Sequence, residues 1–123
     1  MIEYTVKVYD DGHKEWYING KRHREDGPAI EFVNGAKEWF INGERHREDG
    51  PAVEYVNGHK EWYINDKLHR EDGPAIEYAS GDKVWYINGK VLAEEEFNKA
   101  KVTELTVADI EKLLNKKIKI VKG

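Results

Sequence analysis

The chain repeats itself every 23 residues. The phrase Gly-His-Lys-Glu-Trp-Tyr-Ile-Asn occupies residues 12–19 and returns, with substitutions, at 35–42, 58–65 and 81–88. A second phrase, His-Arg-Glu-Asp-Gly-Pro-Ala, occupies residues 23–29, 46–52 and 69–75. A period of this length is typical of units that cannot bury a hydrophobic face alone and therefore stack on one another. The repeat therefore predicts a stack of equivalent units.

Composition narrows the class of protein further. The 123 residues suffice for one domain, and four Trp, seven Tyr and three Phe predict a thin, aromatic core. The net charge of −4 argues against non-specific nucleic-acid binding, and the lack of cysteine excludes disulfides and thiolate metal sites. The first residues do not resemble a signal peptide, and no apolar stretch is long enough to span a bilayer. We therefore expect a soluble protein of the cytoplasm.

The Asn-Gly pairs predict hairpins. Asn57-Gly58 lies between two alternating runs, and such a pair favours a two-residue type I′ turn. The resulting register places Val56 opposite His59, Tyr55 opposite Lys60, Glu54 opposite Glu61 and Val53 opposite Trp62. One face then collects the predicted core of this hairpin, which is Val53, Tyr55, Trp62 and Ile64. The matching core positions in the other hairpins are Tyr9 and Trp16, Phe32 and Trp39, and Tyr78 and Trp85.

A second turn follows each hairpin, at residues 19–20, 42–43, 65–66 and 88–89, and Pro28, Pro51 and Pro74 mark strand entries. The pattern changes after Gly89. Residues 93–100 read as a short helix with an acidic first turn, a second helix opens at Thr106, and a strand covers 118–121. We therefore predict a mainly β fold. An elongated antiparallel meander of hairpin repeats occupies residues 1–91, and a small α+β cap occupies residues 92–123.

The phrases at residues 34–43 and 46–50 resemble the MORN repeat, whose period is also 23 residues, and the likeness spans about residues 9 to 90. Arg24, Arg47 and Arg70 stand where that family has Gly. The His-Arg-Glu-Asp-Gly-Pro-Ala phrase and the tail at 105–114 resemble a variant found in small bacteriophage and bacterial proteins. The resemblance implies a MORN-like fold and a binding or assembly scaffold, not a catalyst. It also implies an accessory protein that counteracts host defence, acting in the host cytoplasm if a phage encodes it.

Two interpretations of the second phrase remain open. The predicted register puts Glu31 opposite Glu38 and Glu54 opposite Glu61, which requires a nearby cation. In the structural interpretation, the arginines fold back onto the glutamates of a neighbouring repeat and staple the stack. In the functional interpretation, arginine and histidine rows flanked by aromatic rings form a groove for an anionic, nucleotide-like ligand. The residues predicted to bind this ligand are Arg24, Arg47, Arg70, His23, His46, His69, Tyr17, Phe40 and Tyr63.

Catalysis is the weakest hypothesis. The trio His23, Glu25 and Asp26 recurs in three copies without a distinct nucleophile or a convergent fourth metal ligand. We therefore expect no enzymatic activity, no cofactor and no metal. The predicted function is a binding protein that sequesters a small anionic signal. The alternative is a protein–protein assembly or inhibitor module that binds a host protein, with a purely structural arginine and glutamate network.

Open strand edges also allow a homo-oligomer. The strands expected to close the sheet are residues 4, 6 and 8 at one end of the chain and residues 118, 120 and 121 at the other.

Overall fold

A computed structural model describes residues 2–103, with side chains described up to residue 99. The chain divides into two compact units, Met1–Leu92 and Ala93–Gly123. The described strands are β1 (Thr5–Val8), β2 (Lys14–Ile18), β3 (Lys21–Arg22), β4 (Ile30–Glu31), β5 (Lys37–Glu38), β6 (Phe40–Ile41), β7 (Glu44–Arg45), β8 (Val53–Glu54), β9 (Lys60–Glu61), β10 (Tyr63–Ile64), β11 (Lys67–Leu68), β12 (Ile76–Glu77), β13 (Lys83–Ile87) and β14 (Lys90–Leu92). The described helix is α1 (Glu94–Thr103).

The first unit is an antiparallel meander, as the repeat predicted. Its long sheet has the order β1-β2-β4-β5-β8-β9-β12-β13-β14, with β3 paired to β2. The short hairpins β6-β7 and β10-β11 form two further two-stranded sheets. Each repeat thus contributes one hairpin to the long sheet and one short hairpin beside it.

The turns of the long sheet have three residues, so the predicted two-residue turn is wrong there. The Tyr55 N–H donates to the His59 carbonyl at 2.9 Å, and the Gly58 N–H donates to the Tyr55 carbonyl at 3.1 Å. Gly58 has a positive φ of 96° whereas Asn57 does not, which fits a type I turn closed by one left-handed glycine. Asn57 instead uses its side-chain oxygen, which accepts the His59 N–H at 3.0 Å.

The extra loop residue moves the register by one position. Glu54 lies opposite Lys60, and Val53 lies opposite Glu61. The predicted pairing of Glu54 with Glu61 is therefore wrong, and so is that of Glu31 with Glu38, because Glu31 lies opposite Lys37. Since a shift of one residue moves a side chain to the other face of a strand, the predicted core changes with it.

The second turn of each repeat, which the sequence places at residues 19–20, 42–43, 65–66 and 88–89, has the type I′ form in the structure. Asn42 and Gly43 both have positive φ, at 51° and 81°, and Ile41 pairs with Glu44 across them. In the third repeat Asn65 and Asp66 take the same conformation, with φ of 48° and 67°. Asp therefore replaces Gly without changing the turn.

The tryptophan is the point where each long strand changes partner. The Trp39 N–H donates to the Ala52 carbonyl of the next repeat at 2.8 Å, whereas its carbonyl accepts the His46 N–H of its own repeat at 3.2 Å. Successive short hairpins are also joined directly, since the Asp66 N–H donates to the Arg45 carbonyl at 2.8 Å. The backbone alone thus links each repeat to the next in two places.

The buried residues are small and aliphatic more often than aromatic. Ala29, Ala52 and Ala75 are fully buried at the crossing between repeats, and Ile30, Val53 and Ile76 lie beside them in the strands. Phe40 is buried as well. The four tryptophans are only partly buried, and the predicted core residues Tyr9, Phe32, Tyr55 and Tyr78 are exposed by 39–49%. The predicted core is therefore wrong at these four aromatic residues, each of which flanks a three-residue turn, whereas the predicted core residue Val53 is buried.

The helix predicted at 93–100 is observed as α1, with Glu94, Glu95 and Glu96 in its first turn, where the helix dipole favours negative charge. The predicted second helix at Thr106 and the strand at 118–121 lie outside the described residues. Within residues 2–103, no helix is both long enough and apolar enough to cross a membrane.

Candidate functional site

Alternation along the strands gives the repeat array two faces. The face that carries Trp39, Arg47 and Glu54 is called the Trp face, together with the equivalent residues of the other repeats. The face that carries Glu38, Phe40 and their equivalents is called the Glu face. The ring contacts and hydrogen bonds of these side chains stay on their own face.

On the Trp face, each repeat builds an arginine unit. The Arg47 guanidinium stacks 3.9 Å from the Trp39 ring centroid, and its Nε donates to Asp49 at 3.1 Å. Its Nη1 donates to the Pro51 carbonyl at 3.0 Å and to Glu54 at 3.4 Å. A Cβ added to Gly50 would lie only 2.8 Å from the guanidinium carbon, so the glycine leaves room for it. The group is thus enclosed by an indole, a glycine, two carboxylates and a carbonyl.

The other two arginine units repeat this arrangement closely. Arg24 and Arg70 lie 4.1 and 3.9 Å from the rings of their tryptophans, and each bonds the equivalent Asp, Pro carbonyl and Glu. The arginine side chains are exposed by only 21–23%. Each arginine bonds a glutamate seven residues further along its own chain segment. Because Glu54 follows Ala52 in the next repeat, Arg47 joins two repeats, as the structural interpretation suggested.

The glutamates that faced one another in the predicted register face lysines in the structure. Across the long sheet, lysine and glutamate alternate as direct cross-strand partners on the Trp face. The order of this row is Lys14, Glu31, Lys37, Glu54, Lys60, Glu77 and Lys83. Opposite charges facing one another across strands stabilise a sheet, so no ligand is needed to relieve repulsion.

The predicted histidines form links between repeats. The Nδ1 atom of His23 accepts the Asn42 N–H at 2.9 Å, and His46 and His69 accept the equivalent N–H groups at 3.1 and 3.0 Å. An accepting Nδ1 places the proton of the neutral ring on Nε2. Nε2 in turn faces a glutamate at 3.4–3.6 Å. These histidines therefore join each repeat to the second turn of the next.

On the Glu face, side chains gather around a glutamate in three repeats, and each group is called a glutamate cluster. Glu15 accepts hydrogen bonds from Tyr17 at 2.7 Å, Arg22 at 2.9 Å and His13 at 3.2 Å. Burial raises the pKa of Glu15, but these three hydrogen bonds outweigh it and lower the pKa to about 2. The same bond to Glu15 raises the pKa of Tyr17 to about 12. The carboxylate of Glu15 is thus buried, charged and fully paired.

The glutamate clusters vary from repeat to repeat. Glu38 keeps only its arginine, with Arg45 Nε at 3.0 Å, because Ala36 and Phe40 stand where His13 and Tyr17 stood. Glu61 keeps a histidine and a tyrosine, and Leu68 replaces the arginine. In the fourth repeat the glutamate, histidine and arginine positions hold Val84, Asp82 and Val91. Each glutamate therefore retains a basic partner, and both basic residues disappear where the glutamate does.

The predicted ligand groove is divided between the two faces. Tyr17, Phe40 and Tyr63 lie on the Glu face, whereas Arg24, Arg47 and Arg70 lie on the Trp face. The cations beside these three aromatic rings are Lys7, Arg22 and Arg45, with centroid distances of 4.6–5.7 Å. Sequence reasoning missed Arg22 and Arg45, although their position directly before the His-Arg phrase in two repeats was a visible signal.

Two equivalent clefts separate successive arginine units. The first encloses about 680 Å³ and the second about 710 Å³. The first is lined by Trp39, Ile41, His46 and both adjoining His-Arg-Glu-Asp loops. Its two arginines face four carboxylates, and Glu25, Asp26, Glu48 and Asp49 have side chains exposed by 55–89%. The clefts are therefore net acidic, which disfavours an anionic ligand.

Aromatic rings line the three-residue turns, with Tyr9, Phe32, Tyr55 and Tyr78 exposed and His13 and His59 half-buried. These six residues are called the tip row. Tyr9 stacks on His13 with centroids 4.0 Å apart, and His59 lies 5.3 Å from Tyr55 and 5.1 Å from Tyr78. Val33 and Val56 beside the row are each exposed by 66%. Every repeat thus presents a large aromatic side chain to solvent at the same position.

Comparisons of the chain with family models, with curated proteins and with solved structures found no match. The likeness to MORN repeats and to phage proteins therefore stays a prediction. Within the part of the chain that the structure describes, no group of three or more His, Cys, Asp or Glu side chains could hold a metal ion.

Proposed function

We propose that this chain is a non-enzymatic binding module that holds a partner protein against its tip row. The observation that carries the proposal is the exposure of Tyr9, Phe32, Tyr55 and Tyr78, which are 39–49% accessible in four successive hairpins. Aromatic side chains at fixed positions on a rigid sheet lose little entropy on binding, and tyrosine is enriched among residues that dominate protein interfaces. A regular row of them fits a large partner better than a small ligand.

The charges of the array support a protein partner over an anionic small molecule. Each guanidinium of the arginine units already meets two carboxylates and a carbonyl, so a phosphate would have to displace them. The loops around the clefts carry exposed carboxylates. The arginine units are therefore assigned a structural role, and the net charge of −4 favours encounter with a partner whose surface is basic.

The biological setting rests on the resemblance alone. If the chain belongs with small phage accessory proteins, the partner is a component of host defence and the binding inhibits it. Sequestration of a nucleotide-like signal remains the competing proposal.

Site-specific photocrosslinking tests the proposed face. A photoreactive phenylalanine analogue replaces Tyr55 or Tyr78 in the intact chain, and in a matched control it replaces Lys60, which is exposed on the opposite face. We expect one protein to be crosslinked from both tip positions and not from the control. With that protein purified, Tyr55→Ser and Tyr78→Ser together should weaken its affinity at least tenfold, as hot-spot residues do.

Two results would overturn the proposal. One is equal crosslinking from both faces. The other is a thermal shift produced by cyclic dinucleotides or ADP-ribose derivatives and retained in the Tyr55→Ser and Tyr78→Ser variant. That second result would instead favour the nucleotide-like ligand.

A further inference from the structure

At the outer edge of β1 the sequence departs from the repeat in favour of strand residues. Aligned by the repeat, Tyr4 and Thr5 occupy the positions of the Gly-Pro pair, and Val8 occupies that of Glu31. Pro prevents extension of the internal strands, whereas β1 is free to extend. β1 has four residues where β4, β8 and β12 have two.

Backbone groups along this edge are open to a partner strand. β1 pairs with β2 on one side, and no strand within residues 2–103 pairs with its other side. The Tyr9 N–H donates to His13 at 3.0 Å, so odd-numbered residues of the strand direct their backbone groups toward β2. The N–H and C=O groups of Val6 and Val8 therefore point outward, and extension of the strand by one residue would direct those of Tyr4 the same way.

The side chains at the edge are also unusually apolar. Ile2, Val6 and Val8 are exposed by 49%, 42% and 66%, and Val6 and Val8 lie on the Trp face. The half-buried Tyr4 accepts the Glu25 N–H with its hydroxyl at 3.1 Å. Further along the sheet the position of Val8 is taken by glutamate and its cross-strand neighbours are lysines. An exposed apolar edge strand is normally a liability that proteins cover.

We propose that β1 pairs in antiparallel fashion with β1 of a second copy of this chain, with Thr5 on the two-fold axis. This register places Glu3 opposite Lys7 of the second copy, twice by symmetry. It also places Tyr4 opposite Val6, and Ile2 opposite Val8, so that the exposed Ile2, Val6 and Val8 are each covered by a side chain of the other copy. The outward backbone groups of Tyr4 and Val6 then exchange hydrogen bonds, as an antiparallel ladder requires.

Charge selects this register over its neighbours. A two-fold axis at Val6 leaves Lys7 opposite Thr5 and gives Glu3 no basic partner. An axis at Lys7 places two lysines face to face, which is destabilising. Of these registers, the one centred on Thr5 pairs Glu3 with Lys7 and also pairs the apolar residues with one another. The resulting interface is isologous, as in most homodimers.

Cysteine mapping tests the register directly, because the chain has no cysteine of its own. In a non-hydrogen-bonded antiparallel pair the two Cβ atoms lie about 4.5–5.5 Å apart, close enough for a disulfide to form with a small adjustment. Under mild oxidation, Thr5→Cys should therefore crosslink with itself. Glu3→Cys and Lys7→Cys should crosslink when mixed but not separately. Lys60→Cys, exposed in the middle of the sheet, measures the rate of random collision.

Sedimentation equilibrium measures the association itself. At high concentration we expect a mass twice the 14.3 kDa of one chain, and Glu3→Lys should weaken dimerisation at least tenfold because the new lysine faces Lys7. Circular dichroism of each variant checks that it folds. A strict monomer at all concentrations overturns the proposal, and so does a dimer in which Thr5→Cys crosslinks no faster than Lys60→Cys.

Discussion

The arginine units and the glutamate clusters are both repeated charged networks, yet only the arginine units are kept intact in every copy. Arg24, Arg47 and Arg70 share the same four kinds of partner, whereas the clusters around Glu15, Glu38 and Glu61 each have a different set. The arginine unit uses backbone as well as side chains, since a proline carbonyl and a glycine complete it. The clusters use side chains alone, so one basic partner is enough.

The difference teaches where the array tolerates change. The arginine unit includes backbone groups among its partners, so none of its side chains can be replaced without disturbing the course of the backbone. A network around a single carboxylate tolerates the exchange of one donor for another. The four following predictions test this contrast.

Loss of an arginine should have the largest effect. Arg47→Ala leaves Asp49 and Glu54 without their cation and uncovers Trp39. We expect a loss of about 3 kcal/mol in the free energy of unfolding, measured in urea, as when one partner of a partly buried network is removed. Arg47→Lys should recover less than half of this, because lysine cannot form the forked contacts. A loss below about 0.5 kcal/mol would show that the unit is dispensable.

Acid should reveal the charged state of Glu15. Its pKa is lowered from 4.5 to about 2, so its contribution to stability is present above pH 4.5 and is lost as the pH falls toward 2. The loss is on the order of 2 kcal/mol. Stability curves of the protein and of Glu15→Gln should converge over this range. Parallel curves between pH 4.5 and 2 would contradict the assignment.

Gly50→Ala probes the room that the arginine unit requires. The added methyl group would meet the Arg47 guanidinium, and we expect a cost of about 1–2 kcal/mol. In the Arg47→Ala background the same change should be nearly neutral. A double-mutant cycle measures the coupling between the two positions. If the cost stays the same in both backgrounds, it arises from the backbone and not from the guanidinium.

The smallest effects should come from the histidines of the glutamate clusters. His13→Ala should cost less than about 0.5 kcal/mol because Arg22 still pairs with Glu15. His59→Ala should cost about 1 kcal/mol because Glu61 then keeps only Tyr63. Adding Leu68→Arg to His59→Ala gives Glu61 an arginine at the position that Arg45 holds in the second repeat, and should restore the lost stability. Equal losses of stability on replacing His13 and His59 would contradict the inference that one basic partner is enough for each glutamate.

Much of the fold was predictable because the period and the turn residues are local signals. The period predicted the meander, and Asn42-Gly43 predicted a second turn, which the structure shows in the type I′ form. The register was not predictable from the Asn-Gly pair of residues 57 and 58, since the same two residues serve a three-residue loop. The predicted repulsion between Glu54 and Glu61 was itself a sign that the predicted register was wrong, because a shift of one residue places Lys60 opposite Glu54.

The candidate site was only partly accessible from sequence. The arginine and histidine rows were recognisable as repeated, and the structural interpretation anticipated the bond between Arg47 and a glutamate. The arginines lie on the opposite face from Tyr17, Phe40 and Tyr63. This could not be predicted, because the register decides which face each of these residues occupies. The tip row was missed because Tyr55 was assigned to the core, whereas its position beside the three-residue turn leaves it 49% exposed.

The histidine links end where the array ends. His23, His46 and His69 each join one repeat to the next, and 23 residues later the position holds Leu92, where the next arginine position also changes to Ala93. Each junction between repeats is formed by the same atoms, so the repeats are interchangeable, and residues 92 and 93 lack the side chains that a further junction would need. A further copy of residues 47–69 inserted after His69 should extend it by one unit and leave every existing junction unchanged.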